Sequence, residues 1–368
     1  MVVFGTRPEA IKMCPLVNEL KRREGLVCRV CITGQHREML EQVLKIFAVQ
    51  PDYDFRIMKP EQTLLSVTES ILEKMEYVLD EEKPDALLVH GDTTTAFAAA
   101  LSGFYKKIPI GHVEAGLRTG NLYSPYPEEF NRQAVDLISG FYFAPTKWAK
   151  QNLLLEGKKE EQIYVTGNTV IDAMAYTIKE HYEQEALQWA GSSRIILVTA
   201  HRRENIGASM EHMFRAIRKI AEELEDVRIL FPVHMNPKVR QCAQKLLAGH
   251  ERIRLIEPLD VLDFHNIMAK SYLILTDSGG VQEEASALGK PVLVMRNTTE
   301  RPEGVDAGTL KLVGTDEETI YQETRRLLSD RSEYERRSQS KNLYGDGHAC
   351  RRIADILTEH FVKDMSYA

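Results

Sequence analysis

Asp92, Glu114 and Glu128 are the residues of the N-terminal half best suited to moving a proton. Asp92 and Glu114 each directly follow a short apolar run that reads as a β-strand. Glu128 sits in Ser124-Pro-Tyr-Pro-Glu-Glu129, a Pro-stiffened loop entering a helix. Carboxylates that share a partly dry pocket raise each other's pKa, so one can act as an acid and another as a base. Each has a plainer reading alone: an N-cap for Asp92, and for Glu128 a first-turn acid favoured by the helix dipole. Three at matching strand-end positions favour chemistry.

Basic and glycine-rich turns complete the set. In Gly5-Thr6-Arg7-Pro8-Glu9 a capping box explains Thr6, Pro8 and Glu9. It leaves Arg7 and Lys12 near a helix start, where the dipole disfavours cations, so they suit an anion. Asp277-Ser278-Gly279-Gly280 stands between a strand and a helix. Its glycines admit close backbone approach, and its N–H groups attract a phosphate or diphosphate. The alternative is a simple turn capped by Ser278. Glu284, farther along that helix, can accept ribose hydroxyls, although alone it reads more readily as a solvated or dipole-favoured acid. His201-Arg202-Arg203-Glu204 ends the first strand of the second half, where His can help a phosphate leave and Arg suits a diphosphate. Arg301 is a further basic candidate. The spacings of the dinucleotide fingerprint, the P-loop, the zinc-helix motif and the nucleophile elbow are missing. NAD, metal and covalent hydrolase chemistry are therefore not indicated.

These residues need elements to hold them. Short β-branched runs at 2–4, 27–33, 86–90, 110–113, 141–144 and 163–165 predict strands. Helical patterns lie between them at 9–23, 37–47, 64–82, 95–105, 129–138 and 147–156. The second half repeats the rhythm, with strands at 195–199, 228–231, 254–256, 273–276 and 292–294. Its helices fall at 209–224, 237–247, 261–269, 281–288 and 317–328. Alternation with near-continuous apolar strands predicts an α/β chain of two doubly wound parallel sheets. The candidate residues fall just after strands, where such sheets bind ligands, and both halves supply them. That pattern predicts a site in a cleft between two domains. The hinge is placed near Gly167, with a polar helix at 181–185, a turn-rich break at 344–348 and an amphipathic helix at 350–361.

Composition narrows the partners. A chain of 368 residues suggests about two domains. A net charge of −7 argues against nucleic acid or an acidic membrane surface. No apolar run approaches the roughly 18 residues of a membrane span. Met1-Val-Val-Phe-Gly reads straight into a strand, so no signal peptide is expected. Cys28 and Cys31 have C-x-x-C spacing on a predicted strand, where they face opposite ways. With no second pair, buried thiols in a reducing cytoplasm are the expectation, not zinc.

Together, nine runs carry a family pattern: Phe4-Gly-Thr-Arg-Pro-Glu-Ala-Ile-Lys-Met13, His90-Gly-Asp-Thr-Thr94, His112-Val-Glu-Ala-Gly-Leu-Arg-Thr-Gly120, Pro127-Glu-Glu129, Thr166-Gly-Asn-Thr169, His201-Arg-Arg-Glu204, Leu275-Thr-Asp-Ser-Gly-Gly-Val-Gln-Glu-Glu284, Thr298-Thr-Glu-Arg-Pro-Glu303 and Tyr344-Gly-Asp-Gly347. In this order they resemble the bacterial non-hydrolysing UDP-N-acetylglucosamine 2-epimerases, almost end to end. The resemblance implies two Rossmann-like domains of the GT-B kind, with the last helix crossing back to the first. The corresponding domains are 1–166 joined by 350–368, and 167–349. It also implies interconversion of UDP-GlcNAc and UDP-ManNAc through UDP elimination, a bound 2-acetamidoglucal and re-addition. No cofactor or metal is expected. A cytoplasmic homodimer supplying cell-envelope polysaccharides is.

By position, Asp92, Glu114 and Glu128 resemble the family's acid/base set, and His201 the residue that helps UDP leave. Arg7, Lys12 and Arg301 resemble basic residues around the substrate and its diphosphate. Ser278, Gly279 and Gly280 resemble the diphosphate cradle, and Glu284 the ribose ligand. The start only a few residues before Gly5 leaves the first strand clipped relative to the family. Some members bind a second UDP-GlcNAc as an activator; Gln35, Glu128, Arg202 and His234 match positions lining that site. Glu38 and Glu61 stand where regulated members carry Gln and Arg, so activation is expected to be weak or lost. A hydrolysing epimerase, a glycosyltransferase and a non-catalytic nucleotide-sugar sensor are the rival readings.

Overall fold

A computed structural model describes residues 1–34, 37–58, 62–339 and 343–363. The chain divides into two compact units: Met1–Tyr176 with Tyr344–Ala368, and Thr177–Leu343. Unit 1 holds β1 (Val2–Phe4), β2 (Val30–Ile32), β3 (Tyr53–Asp54), β4 (Leu87–His90), β5 (Ile110–Val113), β6 (Phe141–Ala144) and β7 (Ile163–Val165). Unit 2 holds β8 (Arg194–Thr199), β9 (Val227–Pro232), β10 (Ile253–Ile256), β11 (Leu273–Thr276), β12 (Val292–Val294) and β13 (Leu310–Leu312). The strand orders are β3-β2-β1-β4-β5-β6-β7 and β10-β9-β8-β11-β12-β13. Every pairing is parallel. Each sheet starts in the middle, runs outward one way, then reverses. The reversals lie between β1 and β4, and between β8 and β11; in such folds the ligand crevice opens there.

Strand β8 shows why the strands read as unbroken apolar runs. Ile195 and Leu197 join a cluster with Ile267, Ile274 and Val292 on one face. Ile196 and Val198 join Met213, Phe214 and Phe231 on the other. Both faces are covered, so neither register of the alternation is polar. Phe214 and Phe231 meet edge to face at 5.4 Å, and truncating either would cost about 3–5 kcal/mol. In unit 1, Val3, Leu87 and Val89 pack with Ile71, Met75 and Leu79 of the helix Leu64–Glu82.

Threonines start several helices. Thr6 and Glu9 form the expected capping box on the helix Arg7–Lys21, with Pro at its start. Thr93, not Asp92, caps the helix Thr94–Tyr105, its hydroxyl accepting from Ala96 N at 3.0 Å. The carboxylate of Asp92 is thereby left for other partners.

Several details differ from the sequence pattern. Residues 181–184 are not helical; the helix is Glu185–Ala190, capped by the Gln184 side chain. The segment before it is held from outside: Tyr182 Oη donates to Asp263 at 2.7 Å, and Lys179 N to Asn266 at 2.9 Å. Cys28 lies ahead of the shorter β2, while Cys31 is buried within it; both are free thiols. Strands β3 and β13 and the helices Pro302–Asp306 and Arg331–Ser338 were not anticipated.

The units divide at Tyr176 and Tyr344, beside the bounds after residues 166 and 349 that the resemblance implies for the domains. The cause is local. The helix Thr169–Thr177 is tied to the return segment, Asn168 N donating to Tyr344 O at 2.6 Å. The Asp172 carboxylate accepts from Ala349 N and Cys350 N at 3.1 and 2.9 Å. The helix Ala349–Thr358 then packs on the first helix of unit 1, where Arg23 pairs with Asp355 at 2.8 Å. Among the described residues no helix is long and apolar enough to cross a membrane.

Candidate active site

In unit 1 the site is built outward from Glu114, the first residue past β5. Its backbone is left-handed, with φ 69°, a conformation that costs a non-glycine residue about 1–3 kcal/mol. Its Oε1 accepts from Lys12 Nζ and, at 3.0 Å, from Asn168 Nδ2. Behind it lies a buried brace. His112 Nδ1 meets Asp136 at 2.6 Å and Nε2 meets Gly91 O at 2.8 Å. Asp136 also accepts from Gly116 N at 3.1 Å and Arg118 Nη2 at 2.7 Å. Burial pushes the Asp136 carboxyl up, but His112 and Arg118 more than reverse this and hold it below the usual range. The turn that carries Glu114 is thus fixed from both sides, which lets the strained backbone persist.

Asp92 lies past β4 and is gripped twice by the helix Glu128–Ile138. Arg132 Nη2 pairs with its carboxylate, and Asn131 Nδ2 donates to its carbonyl at 2.9 Å. Arg132 Nη1 also reaches Glu129 at 2.9 Å. Glu129 is fully buried and accepts from Thr119 N, Gly120 N and Gln133 at 2.9–3.2 Å. Gly91 joins Asp92 to Glu114: a Cβ there would lie 3.3 Å from Glu114 Oε2. Glu128 is half-buried at the first turn of the same helix. Arg7 opens the first helix, and Lys12 lies one turn on. Glu9 has more to do than cap. It accepts from Gly5 N, Thr6 N and the Thr6 hydroxyl, and from the Thr93 hydroxyl at 2.8 Å, joining the ends of β1 and β4. Burial pushes its carboxyl up against those hydrogen bonds.

Unit 2 organises its turn around Asp277, buried just after β11. Its carboxylate accepts from His201 N at 3.0 Å, Arg202 N at 3.0 Å and Asn205 Nδ2 at 3.1 Å. The turn after β8 is thereby fixed to the turn after β11. A Cβ on Gly279 would sit 2.7 Å from Arg301 Nη1 and 3.5 Å from Arg202 Nη2. Two guanidinium groups therefore close on the first turn of the helix Gly279–Ala287, already the positive end of a dipole. Ser278 stands at its N-cap without a side-chain capping bond. Such a place suits a multiply charged anion.

The cations are themselves held. Arg301 Nε pairs with Glu283 at 2.5 Å, and Arg296 forks onto Glu300 at 2.9 and 3.1 Å. Glu284 lies 3.6 Å from His265 Nε2, whose Nδ1 meets the Thr177 hydroxyl at 2.7 Å. Burial pushes the His201 imidazole down, against the pull of Asp277. Its ring stands 5.4 Å from that of His234.

The expected residues thus fall into two groups. Unit 1 carries Arg7, Lys12, Asp92, Glu114 and Glu128; unit 2 carries His201, Arg202, His234, Ser278, Gly279, Gly280, Glu284 and Arg301. Gln35 and Glu61 lie outside the described residues, as does the side chain of Glu38. Sequence reasoning missed the supporting roles of His90, Glu129, Arg132, Asn168 and Asp277. All but Arg132 stood in the quoted runs. Arg132 has no local signal, since its partner Asp92 is 40 residues away.

Known proteins share this fold. A family profile described as UDP-N-acetylglucosamine 2-epimerase matches residues 18–358. The chain is 58% identical to UDP-N-acetylglucosamine 2-epimerase of Bacillus subtilis, over 98% of this chain and 95% of that one. The S. aureus MnaA–UDP co-structure superposes with TM-score 0.92 at 50% identity, covering 98% and 96% of the two chains. The Neisseria meningitidis UDP-GlcNAc 2-epimerase bound to UDP-GlcNAc gives TM-score 0.91 at 47% identity, covering 97% and 99%.

Proposed function

The chain belongs to the UDP-N-acetylglucosamine 2-epimerase family, and on that footing we propose that it interconverts UDP-GlcNAc and UDP-ManNAc without hydrolysing either. The observation that carries the reading is Glu114, a carboxylate on a strained, braced turn with Lys12 beside it and Asp92 across Gly91. The C2 hydrogen of the sugar is not acidic, so its removal must accompany loss of the C1 substituent. A carboxylate takes the C2 proton; the C–H electron pair becomes the C1=C2 bond; the C1–O pair departs with UDP. The product is 2-acetamidoglucal, kept bound. Proton delivery to the other face of C2, with return of the UDP oxygen to C1, completes the inversion. Two faces need two proton-transfer groups, which supports roles for more than one of Asp92, Glu114 and Glu128.

Charge builds on the diphosphate as C1–O breaks. Arg301 and the helix N-terminus at Gly279 are suited to hold it. His201, kept neutral by burial, donates a hydrogen bond to the departing oxygen. Glu284 takes the ribose hydroxyls, and Arg7 the sugar side of the anion. Arg202 and His234, with Gln35 and Glu128, are assigned to a second nucleotide-sugar site whose activation Glu38 and Glu61 weaken. In the cell the product feeds envelope polysaccharide synthesis, made in the cytoplasm by a homodimer. Exposed Leu65, Tyr77, Phe104, Tyr105 and Leu137, on three successive helices of unit 1, supply apolar surface for the pairing.

The test is NMR of UDP-GlcNAc incubated with the protein in D₂O. UDP-ManNAc with deuterium at C2 and no free sugar is expected. Free ManNAc with UDP would mean the hydrolysing reaction instead. A spectrum that never changes while UDP-GlcNAc binds would leave a sensor.

A further inference from the structure

His90 closes β4 and precedes the Gly91-Asp92 turn. Its side chain is 5% exposed, and among the described residues its Nε2 has no hydrogen-bond partner. The other histidine of this region, His112, has both ring nitrogens paired, to Asp136 and Gly91. His112 is therefore a brace, and His90 is not. The nearest oxygen of Glu114 lies 3.9 Å from His90 Nε2, beyond hydrogen-bond reach. That oxygen already accepts from Lys12 and Asn168, so it does not turn toward the ring. An unpaired buried nitrogen is a standing penalty on the folded chain and calls for an explanation.

We infer that His90 is a substrate-binding residue whose Nε2–H donates to a neutral oxygen of the sugar, a hydroxyl or the acetamido carbonyl, beside Glu114. The inference rests on the reading that Glu114 works on a nucleotide sugar. The facing carboxylate favours the tautomer with its proton on Nε2. Burial pushes the imidazole down to about 3, more than Glu114 pulls it up. The ring is therefore neutral near pH 7. A neutral donor suits an uncharged sugar oxygen and adds nothing to diphosphate binding. It positions the ring without competing with Lys12 for the Glu114 charge.

The experiment compares H90Q and H90N with the wild type. Glutamine places an amide near the Nε2 position, and asparagine only near Nδ1. The readouts are kcat/KM for UDP-GlcNAc by NMR, and melting temperature without ligand, with UDP and with UDP-GlcNAc. H90N is expected to lose about tenfold or more in kcat/KM, and H90Q to recover part of it. Ligand-free melting stays close to wild type, and UDP raises all three proteins equally. Wild-type kcat/KM in H90N overturns the inference. So does a fall in ligand-free melting that tracks the loss, because His90 is then a packing residue. If the wild type does not epimerise at all, the reading of the reaction fails separately. His90 is then judged by the extra melting shift of UDP-GlcNAc over UDP, which H90N should abolish; its survival overturns the inference.

Discussion

Glu114 and Lys12 form an ion pair inside unit 1, their side chains 9% and 11% exposed, with the carboxylate on a left-handed backbone. The pair places a carboxylate where solvent hardly competes for it. Removing one partner of a buried pair strands the other, at a cost of about 3–5 kcal/mol. Lys12→Met is therefore expected to lower the urea midpoint clearly and to depress kcat. Lys12→Arg keeps the charge and should restore stability more than turnover. A Lys12→Met protein as stable as wild type would count against the pairing.

Glu114→Gln keeps the size and the hydrogen-bonding of the side chain but not its charge. UDP affinity, assigned in the proposed function to unit 2, should stay within about twofold by calorimetry. Turnover should fall by about 10²–10⁴. Unchanged kcat would remove Glu114 from the reaction.

Arg132 joins the Asp92 carboxylate to buried Glu129. Arg132→Met leaves Glu129 buried without its countercharge and Asp92 without its grip. A melting temperature lowered by several degrees and a kcat lowered about tenfold or more are expected. If only the melting temperature moves, Arg132 supports the helix and not Asp92.

Acid stability should depend on Glu300. Burial pushes this carboxyl up, but the Arg296 hydrogen bonds and the Arg301 charge outweigh it and hold it at about 2, against 4.5 unperturbed. A depressed folded pKa stabilises the fold above the unfolded value. The contribution, on the order of 3 kcal/mol, is lost as pH falls from about 4.5 toward 2. Glu300→Gln should be less stable at neutral pH and lose less across that interval in a pH series of melts. Parallel curves for the two proteins would exclude the linkage.

Initial rates against UDP-GlcNAc are expected to be hyperbolic. The proposed second site would carry carboxylates at positions 38 and 61, and like charge there would repel a second diphosphate. Steep sigmoidal rates would show that activation survives both acids.

How much of this was legible beforehand follows the physics of each feature. Strands buried on both faces announce themselves as apolar runs, so most of the central strands could be read almost to the residue, and with them the turns holding Asp92, Glu114, His201 and Asp277. Strand β3 is two residues of tyrosine and aspartate with no apolar run, and β13 at the edge of its sheet has a lysine between its two leucines, so neither shows the buried-strand pattern. The segment at 181–184 looked helical because polar residues with good propensity carry no mark of the tertiary bonds that straighten it. Asp92 seemed a cap because only the structure shows Thr93 taking that place. Arg132 on an amphipathic helix looks like any solvated arginine, since its meaning depends on a loop folded onto it from far along the chain.

The two crossings between the units leave unit 1 at Tyr176 and re-enter it at Tyr344. Close to them, Asn168 and Tyr344 share a 2.6 Å hydrogen bond. The half that carries Arg202 and Arg301 is therefore an insert in the other half's chain, and the host segments that flank it are tied together within the host. A linker from the end of the helix Thr169–Thr177 to Tyr344 would replace the insert, and none of the seven strands of unit 1 lies in the replaced stretch. The architecture makes the second half a cassette: it can be cut out, swapped or duplicated by recombination while the carboxylate-bearing half keeps its own wiring and its own terminal helix.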